Sequence, residues 1–301
     1  MGTRPVSGEA EFISALRSLA THPAARGLAD DCAVIEIGGE ALVLTHDMMV
    51  EGVHWLREQD PFDVAWKLVA TNLSDLAAKG AEPLGVLLGY SLGGDQLRFV
   101  EGLRAVLEEY AVPLLGGDTV GGGAVRAHGL TAIGRATHRP VPSRSGAAVG
   151  EELYVTGTIG AAMLGFDAVR CGLHDPDNAR AYARPVPLLA EGQALAPLVS
   201  AMMDVSDGLL LDAARLAAAS QVCLALESAA IPLAPGVGAA GRAAEALRWG
   251  DDYQLLFTIS TGFEPPVPAT RIGVACAAGL FPVLLDGAPP EGQLGYLHRE
   301  P

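Results

Sequence analysis

The sequence predicts an α/β protein built from two domains. Half of its 301 residues are apolar, which is enough for substantial hydrophobic cores. Short apolar runs typical of strands alternate with amphipathic segments typical of helices. The segment 135–150 is rich in Pro, Arg and Ser, and the pattern begins again at Glu151. We therefore expect one domain over residues 1–139 and a second over 140–301.

Charge and composition exclude several classes of partner. The formal charge of −15 argues against nucleic acid and against an anionic membrane surface, since both attract Lys and Arg. No apolar stretch is long enough to span a bilayer, and no signal core follows the N-terminus. The four cysteines, at positions 32, 171, 223 and 276, lack the spacing of a zinc site and indicate thiols in a reducing compartment. We expect a cytoplasmic protein.

Common nucleotide-binding loops are absent from the sequence. The chain has only two lysines, Lys67 and Lys79, and neither follows the glycines of a P-loop. The Gly-x-Gly-x-x-Gly fingerprint of a Rossmann fold is also missing. If this protein handles phosphates, metal ions rather than a lysine cradle must neutralise them.

The first domain opens with a helix that Ser7 can cap, followed by two short strands. Asp30 and Asp31 precede the first strand, and Asp47 follows the end of the second. A two-glycine turn at 38–39 makes these strands a hairpin, so we expect the carboxylates to converge. The strands are predicted at 33–37 and 41–45.

A long, mostly apolar helix is expected to begin at Asp60-Pro61 and to run to Gly80. Asn72 and Asp75 share one face of it, and a polar pair on a buried face needs a partner. The plainer alternative is that Asp75 bonds only within its own helix.

Another carboxylate follows in the rest of this domain. Gly117 would let a ligand approach the backbone closely, and Asp118 would face that ligand. The predicted elements are strands at 83–92, 112–119 and 125–136 and a helix at 95–110.

The second domain also carries aspartates at the ends of its predicted elements. Asp204 and Asp207 flank a strand-turn-helix passage in which Ser206 is the expected N-cap. Asp251 lies in a polar turn before a buried strand, and Arg144 in the interdomain segment is a candidate anion contact. Strands are predicted at 153–156, 223–226, 271–276 and 281–286, helices after residue 160, after 187, at 209–219 and at 242–249, and a connector at 180–187.

Aspartates thus recur at the ends of elements throughout the chain. If half of them converge, their repulsion requires cations, and an all-oxygen ligand set selects Mg²⁺. This arrangement favours phosphoryl transfer. No Ser-His-Asp or Cys-His arrangement competes with it.

Six motifs in register resemble the thiamine-monophosphate kinase family, which belongs to the superfamily of aminoimidazole-ribonucleotide and selenophosphate synthetases. The match covers nearly the whole chain. The motifs are Gly27-Leu-Ala-Asp-Asp-Cys-Ala33, Thr45-His-Asp47 with Glu51-Gly-Val-His54, Asn72-Leu-Ser-Asp-Leu-Ala-Ala78, Gly116-Gly-Asp-Thr119, Asp204-Val-Ser-Asp-Gly208 and Gly250-Asp-Asp-Tyr253.

The resemblance implies the two-domain fold of that superfamily, with N-terminal strands completing a dimeric β-barrel. It implies Mg²⁺-dependent transfer of the γ-phosphoryl group of ATP to thiamine monophosphate in a homodimer, with catalysis centred on Asp47, Asp75 and Asp207. It also implies three sets of site residues: several Mg²⁺ ions on Asp31, Thr45, His46, Asp47, Asp75, Asp118, Asp204 and Asp207; ATP on Gly117, Asp118, Arg144 and Ser206; and thiamine monophosphate on His54, Asp251 and Tyr296.

Three positions depart from the family pattern. His46 stands where a small hydroxyl residue is usual, and Asp251 and Gln254 stand where the family has acids, glutamate in the case of Asp251. Two alternatives therefore remain: a superfamily relative that uses ATP on another small molecule, and a nucleotide-binding paralogue with a regulatory role.

Overall fold

The computed structural model describes residues 8–172 and 176–298, which include two mixed sheets. The first sheet comprises β1 (Ala33–Ile37), β2 (Glu40–Val50), β3 (Ala81–Leu92), β4 (Leu114–Gly121) and β5 (Ala127–Ala136). Its order is β1-β2-β5-β3-β4, with only the β3/β4 pair parallel. The strand β4 is therefore an edge, and all of its residues are exposed.

The second sheet comprises β6 (Glu152–Thr156), β7 (Val199–Asp204), β8 (Val222–Leu226), β9 (Leu255–Ile259), β10 (Ala269–Ala277) and β11 (Val283–Leu285). Its order is β11-β8-β10-β6-β9-β7, with only the β11/β8 pair parallel. The pairing of β10 with β8 sets Cys276 opposite Cys223, and all four cysteines are free thiols.

The described residues include eight α-helices: α1 (Glu9–Leu16), α2 (Pro61–Ala78), α3 (Gln96–Glu109), α4 (Ala161–Cys171), α5 (Pro176–Ala183), α6 (Leu189–Leu195), α7 (Leu209–Ser220) and α8 (Ala243–Ala246). In this part of the chain, no helix is both long enough and apolar enough to cross a membrane.

The helix α2 connects the two sheets. It begins as predicted, with Asp60 accepting a hydrogen bond from the Phe62 backbone N–H (3.0 Å). Its middle packs on the first sheet, whereas Ala77 near its end packs with Phe257 of the second. A Cβ at Gly192 of α6 would lie 1.9 Å from the Ala77 carbonyl oxygen, so glycine is required for this close approach. Side chains on α2 can therefore face both halves of the chain.

The strand β2 is longer than predicted. It pairs with β5 through Val50, so Asp47 lies inside a strand and not after its end. The prediction was wrong because β5 offers hydrogen-bonding partners along this whole length. Since side chains alternate across a strand, Thr45 and Asp47 face one side and His46 the other.

The start of α7 also differs from the prediction. Gly208 occupies the N-cap position, and Ser206 makes no capping hydrogen bond. Instead, Asp212 reaches back from the first turn and accepts from the backbone N–H groups of Asp207 (2.9 Å) and Gly208 (3.1 Å). Ser7, the expected cap of α1, lies outside the described residues.

Two helix boundaries were wrong as well. The helix α5 extends through Ala183, where a connector was expected, because Tyr182 packs edge-on against Phe166 of α4. Conversely, α8 ends at Ala246, three residues before Trp249. The extension of α5 arises from packing between elements, which local sequence does not report.

Candidate active site

Three carboxylates from distant parts of the chain meet at one point. Asp31 precedes β1, Asp75 lies on α2 and Asp204 ends β7, and one ligand oxygen from each lies within 4.8 Å of the others. Thr45 donates a short hydrogen bond to Asp75, and the Ser74 hydroxyl donates to Asp204 Oδ2 (2.6 Å). We call Asp31, Asp75 and Asp204 the carboxylate triad.

Asp47 is tied to the same helix. The Asn72 side-chain oxygen accepts from the Asp47 backbone N–H (3.0 Å), while Asp75 on the same face meets Thr45 of β2. The predicted shared face of Asn72 and Asp75 is confirmed, and the alternative that Asp75 bonds only within its own helix is wrong.

Burial and mutual repulsion raise the pKa values of three carboxyl groups at this site. Burial, reinforced by the nearby Asp31, raises the pKa of Asp204 to about 8. The same two causes raise the pKa of Asp47 to about 6. Burial and the charges of Asp47 and Asp204 hold the pKa of Asp75 well above its usual range. Ionised together, these groups need a cation nearby.

Three cationic side chains hold Asp30 and Asp31. The Lys79 ammonium lies 2.5 Å from Asp30 Oδ1 and 2.6 Å from Asp31 Oδ2. Arg144 Nε donates to Asp31 Oδ1 (2.7 Å), and Arg26 donates to Asp30 Oδ2 (2.5 Å). Burial alone would raise the pKa of Asp30, but Lys79 and Arg26 outweigh it and lower that pKa.

A second acidic group lies at the start of α7. Arg215 forms ion pairs with both Asp207 and Asp212, the latter at 3.0 Å. Burial, followed by the charge of Asp207, raises the pKa of Asp212 to about 7 despite Arg215. Ser206 and Asp207 border the cavity described next.

A cavity of about 570 Å³ extends from Asp47. The three residues implied for the thiamine substrate, His54, Asp251 and Tyr296, all line it, although they are separated by more than 240 positions in sequence. Tyr296 is held there by its backbone N–H, which donates to the Asp207 carbonyl (2.8 Å). The cavity thus begins at Asp47 and ends among these side chains.

One wall of the cavity is aromatic, which the sequence analysis missed. The Phe166 ring lies 5.4 Å from Tyr182, edge to face, and 5.2 Å from Trp249. Such a wall suits a flat or cationic ring. Only the tertiary structure brings these three residues together.

Lys67 is a second residue of the cavity region that the sequence analysis did not predict. Its side chain is 1% exposed, and its ammonium lies 2.7 Å from Asp251 Oδ2, 3.1 Å from the His54 carbonyl oxygen and 3.8 Å from the Tyr182 ring centre. Tyr253 donates to the other Asp251 oxygen (3.0 Å). A lysine within the apolar stretch of α2 signals a buried partner, and that signal was available in the sequence.

Three residues from the implied site lie apart from the carboxylate triad in this chain. His46 projects from the opposite face of β2, and its Nδ1 lies 2.9 Å from the Thr131 hydroxyl. Gly117 and Asp118 are on the exposed strand β4, where Asp118 accepts from the Thr119 backbone N–H (2.9 Å). The His46 imidazole therefore points away from Asp47, because neighbouring side chains on a strand point to opposite faces.

The fold and this acidic site define a class of protein. The family model described as "AIR synthase related protein, N-terminal domain" matches residues 29–136, and "AIR synthase related protein, C-terminal domain" matches 148–264. The chain therefore belongs to the superfamily of AIR synthase related proteins.

Comparison with individual proteins narrows the class. The thiamine-monophosphate kinase of Escherichia coli (strain K12) is 36% identical over 251 residues, 77% of this chain and 76% of that protein. The enzyme of the same name from Caulobacter vibrioides is 38% identical over 288 residues, 90% of this chain and 80% of that protein. A solved complex named "AaThiL complexed with AMPPCP and TMP" superposes with a TM-score of 0.88 at 28% identity, covering 97% of both chains. The chain therefore belongs to the thiamine-monophosphate kinase family.

Proposed function

We propose that this protein transfers the γ-phosphoryl group of ATP to thiamine monophosphate, giving thiamine diphosphate and ADP. The observation that carries this conclusion is the likeness, over nearly the whole chain, to thiamine-monophosphate kinases and to a complex with AMPPCP and TMP. In this chain, Asp47, Asp207 and Asp251 border a cavity with an aromatic wall, which suits a phosphorylated substrate with flat rings.

Mg²⁺ fits the residues that are present. The carboxylate triad offers hard oxygen ligands, and burial together with neighbouring carboxylates raises the pKa values of Asp75 and Asp204. When bound, Mg²⁺ would supply neutralising charge for the phosphates. We propose that Asp31, Thr45, Asp47, Asp75, Asp204 and Asp207 hold these ions, together with Asp118 and with the backbone carbonyl of His46, whose imidazole points to the other face of the sheet.

Side-chain and backbone groups of the chain, from Arg144, Ser206 and Gly117, would hold ATP. Arg144 is already in contact with Asp31 and would neutralise phosphate charge at this edge of the triad. Ser206 faces the cavity, and we assign it and Gly117 to the nucleotide.

The acceptor would occupy the far part of the cavity. The thiazolium ring of thiamine carries a positive charge, which the faces of Phe166 and Trp249 and the Asp251 carboxylate would attract. His54 and Tyr296 line the same part of the cavity. The substrate phosphate would then point towards Asp47.

No general base is needed, because the attacking phosphate oxygen is largely ionised near neutral pH. The reaction requires two anions to be aligned, and we propose direct in-line transfer without a phosphoenzyme. Acid-stable phosphoprotein formed rapidly from ATP alone would contradict this step.

We also propose a homodimer, and a division into residues 1–139 and 140–301. The outer face of the first sheet exposes apolar side chains, including Met48 (55% exposed) and Val120 (53%), next to the unpaired edge of β4. A second copy covering that face would bury both features.

The separation of the two sheets between residues 136 and 152 supports the division into two domains. The free thiols support the expected cytoplasmic location.

The test is incubation with ATP, Mg²⁺ and thiamine monophosphate, followed by chromatography of thiamine diphosphate. Thiamine in place of the monophosphate is the control acceptor. Absence of product despite measurable ATP binding would refute the kinase assignment and favour a regulatory paralogue.

A further inference from the structure

Lys79 occupies an unusual position beside the carboxylate triad. It follows the last turn of α2, and its side chain is 0% exposed. Its ammonium has three oxygen neighbours from two segments: Asp30 Oδ1 at 2.5 Å and Asp31 Oδ2 at 2.6 Å, and the Met202 carbonyl at 3.3 Å. A compact cation surrounded by three oxygens resembles a metal ion in its ligand set.

The distribution of charge around this ammonium is uneven. Both oxygens of Asp31 are engaged, one by Lys79 and the other by Arg144. In contrast, no Lys, Arg or His among the described residues forms an ion pair with Asp75 or Asp204, whose contacts include only neutral hydroxyl donors.

The formal charges of the side chains around Lys79 and the triad do not cancel. Apart from Asp207 and Asp212, which form ion pairs with Arg215 at the start of α7, five carboxylates and three cationic side chains lie here, which leaves a formal charge of −2. That remainder corresponds to one divalent ion on the Asp75 and Asp204 side. The set comprises Asp30, Asp31, Asp47, Asp75 and Asp204 with Arg26, Lys79 and Arg144.

We propose that Lys79 is a resident cation that takes the place of one metal ion at the Asp30–Asp31 edge, so that the nucleotide-free protein holds a single divalent ion at the triad. This inference rests on the metal centre proposed above. Lys79 thus sets how many metal ions bind, and it contacts neither substrate.

The test uses the two lysines of the chain as a matched pair. Lys79→Met removes the resident ammonium, and Lys67→Met removes an equally buried ammonium whose carboxylate partner, Asp251, lies elsewhere. Mn²⁺ binding is titrated without nucleotide by the electron paramagnetic resonance of free Mn²⁺, and melting is followed with and without MgCl₂.

We expect one Mn²⁺ per chain in the wild type and in Lys67→Met, and two in Lys79→Met. The melting temperature of Lys79→Met should rise with saturating MgCl₂ by about 5 °C more than that of Lys67→Met, because the second ion binds only the folded protein. The double variant Asp30→Asn with Lys79→Met removes one charge of each sign and should bind a single Mn²⁺ again.

Equal Mn²⁺ stoichiometry in the two single variants, or insolubility of Lys79→Met even when expressed and purified with Mg²⁺, would overturn the proposal. These readouts need no turnover. A wild type that binds one Mn²⁺ but makes no thiamine diphosphate would therefore refute the proposed function and leave this inference standing.

Discussion

The Asp204→Asn substitution tests the central electrostatic feature of the site. Because burial raises the pKa of Asp204 to about 8, the folded protein holds this proton more tightly than the unfolded chain, where an aspartate titrates near pH 4. Unfolding therefore releases a proton between these pH values, and raising the pH favours the unfolded state.

The size of the effect follows from this shift. Each pH unit inside that window costs about 1.4 kcal/mol, and the slope falls by half as the pH reaches 8. Between pH 6 and pH 8, the Asp204 carboxyl alone should lower the unfolding free energy of the metal-free protein by about 2 kcal/mol, or its melting temperature by about 4 °C, and the difference between wild type and Asp204→Asn measures this share. Mg²⁺ at pH 8 should restore this loss, since it binds the ionised group.

The assay is thermal melting in a chelator at both pH values, repeated at pH 8 with MgCl₂. Asp204→Asn should melt with a flatter pH dependence and respond less to Mg²⁺. Asp252→Asn is the matched control, because burial raises the pKa of Asp252 to about 7 while its carboxylate binds the Gly160 and Ala162 backbone N–H groups. The control should keep its Mg²⁺ response. A full Mg²⁺ response in Asp204→Asn would refute the reasoning.

Three further outcomes are expected. Asp47→Asn should reduce turnover at least 100-fold while the far-ultraviolet circular dichroism is unchanged, because it removes charge from the reaction site and preserves size; near-normal activity would contradict the placement of the site. Lys67→Met should raise KM for thiamine monophosphate about 10-fold and leave ATP affinity, measured by calorimetry, unchanged, because Lys67 holds Asp251; an equal loss of ATP affinity would count against this role. Trp249→Ala should likewise raise KM for thiamine monophosphate about 10-fold, whereas Trp249→Phe should retain most of the affinity, and steady-state kinetics of both variants would distinguish ring contact from general packing.

Local sequence patterns predicted most of the elements and part of the site. The hairpin of β1 and β2 and the helix α2 with its Asp60 cap formed as expected, because turn glycines, capping residues and periodicity act over a few residues. The shared face of Asn72 and Asp75 followed from helical spacing alone. The length of β2 did not follow, because it depends on a partner strand more than 70 residues away.

From the sequence by itself we predicted that aspartates would converge, that their oxygen ligands would favour Mg²⁺, and that phosphate binding would not use a lysine cradle. Its six motifs also identified the family. These conclusions depend on residue type and on spacing within single elements.

Only the tertiary structure decided which charges meet. It joined Lys67 to Asp251 across 184 positions and placed Lys79 between Asp30 and Asp31, while strand alternation turned His46 away from Asp47. Ion pairing and desolvation depend on distances through space, which are fixed when the sheets and α2 pack together, and for this reason they could not be predicted from order along the chain.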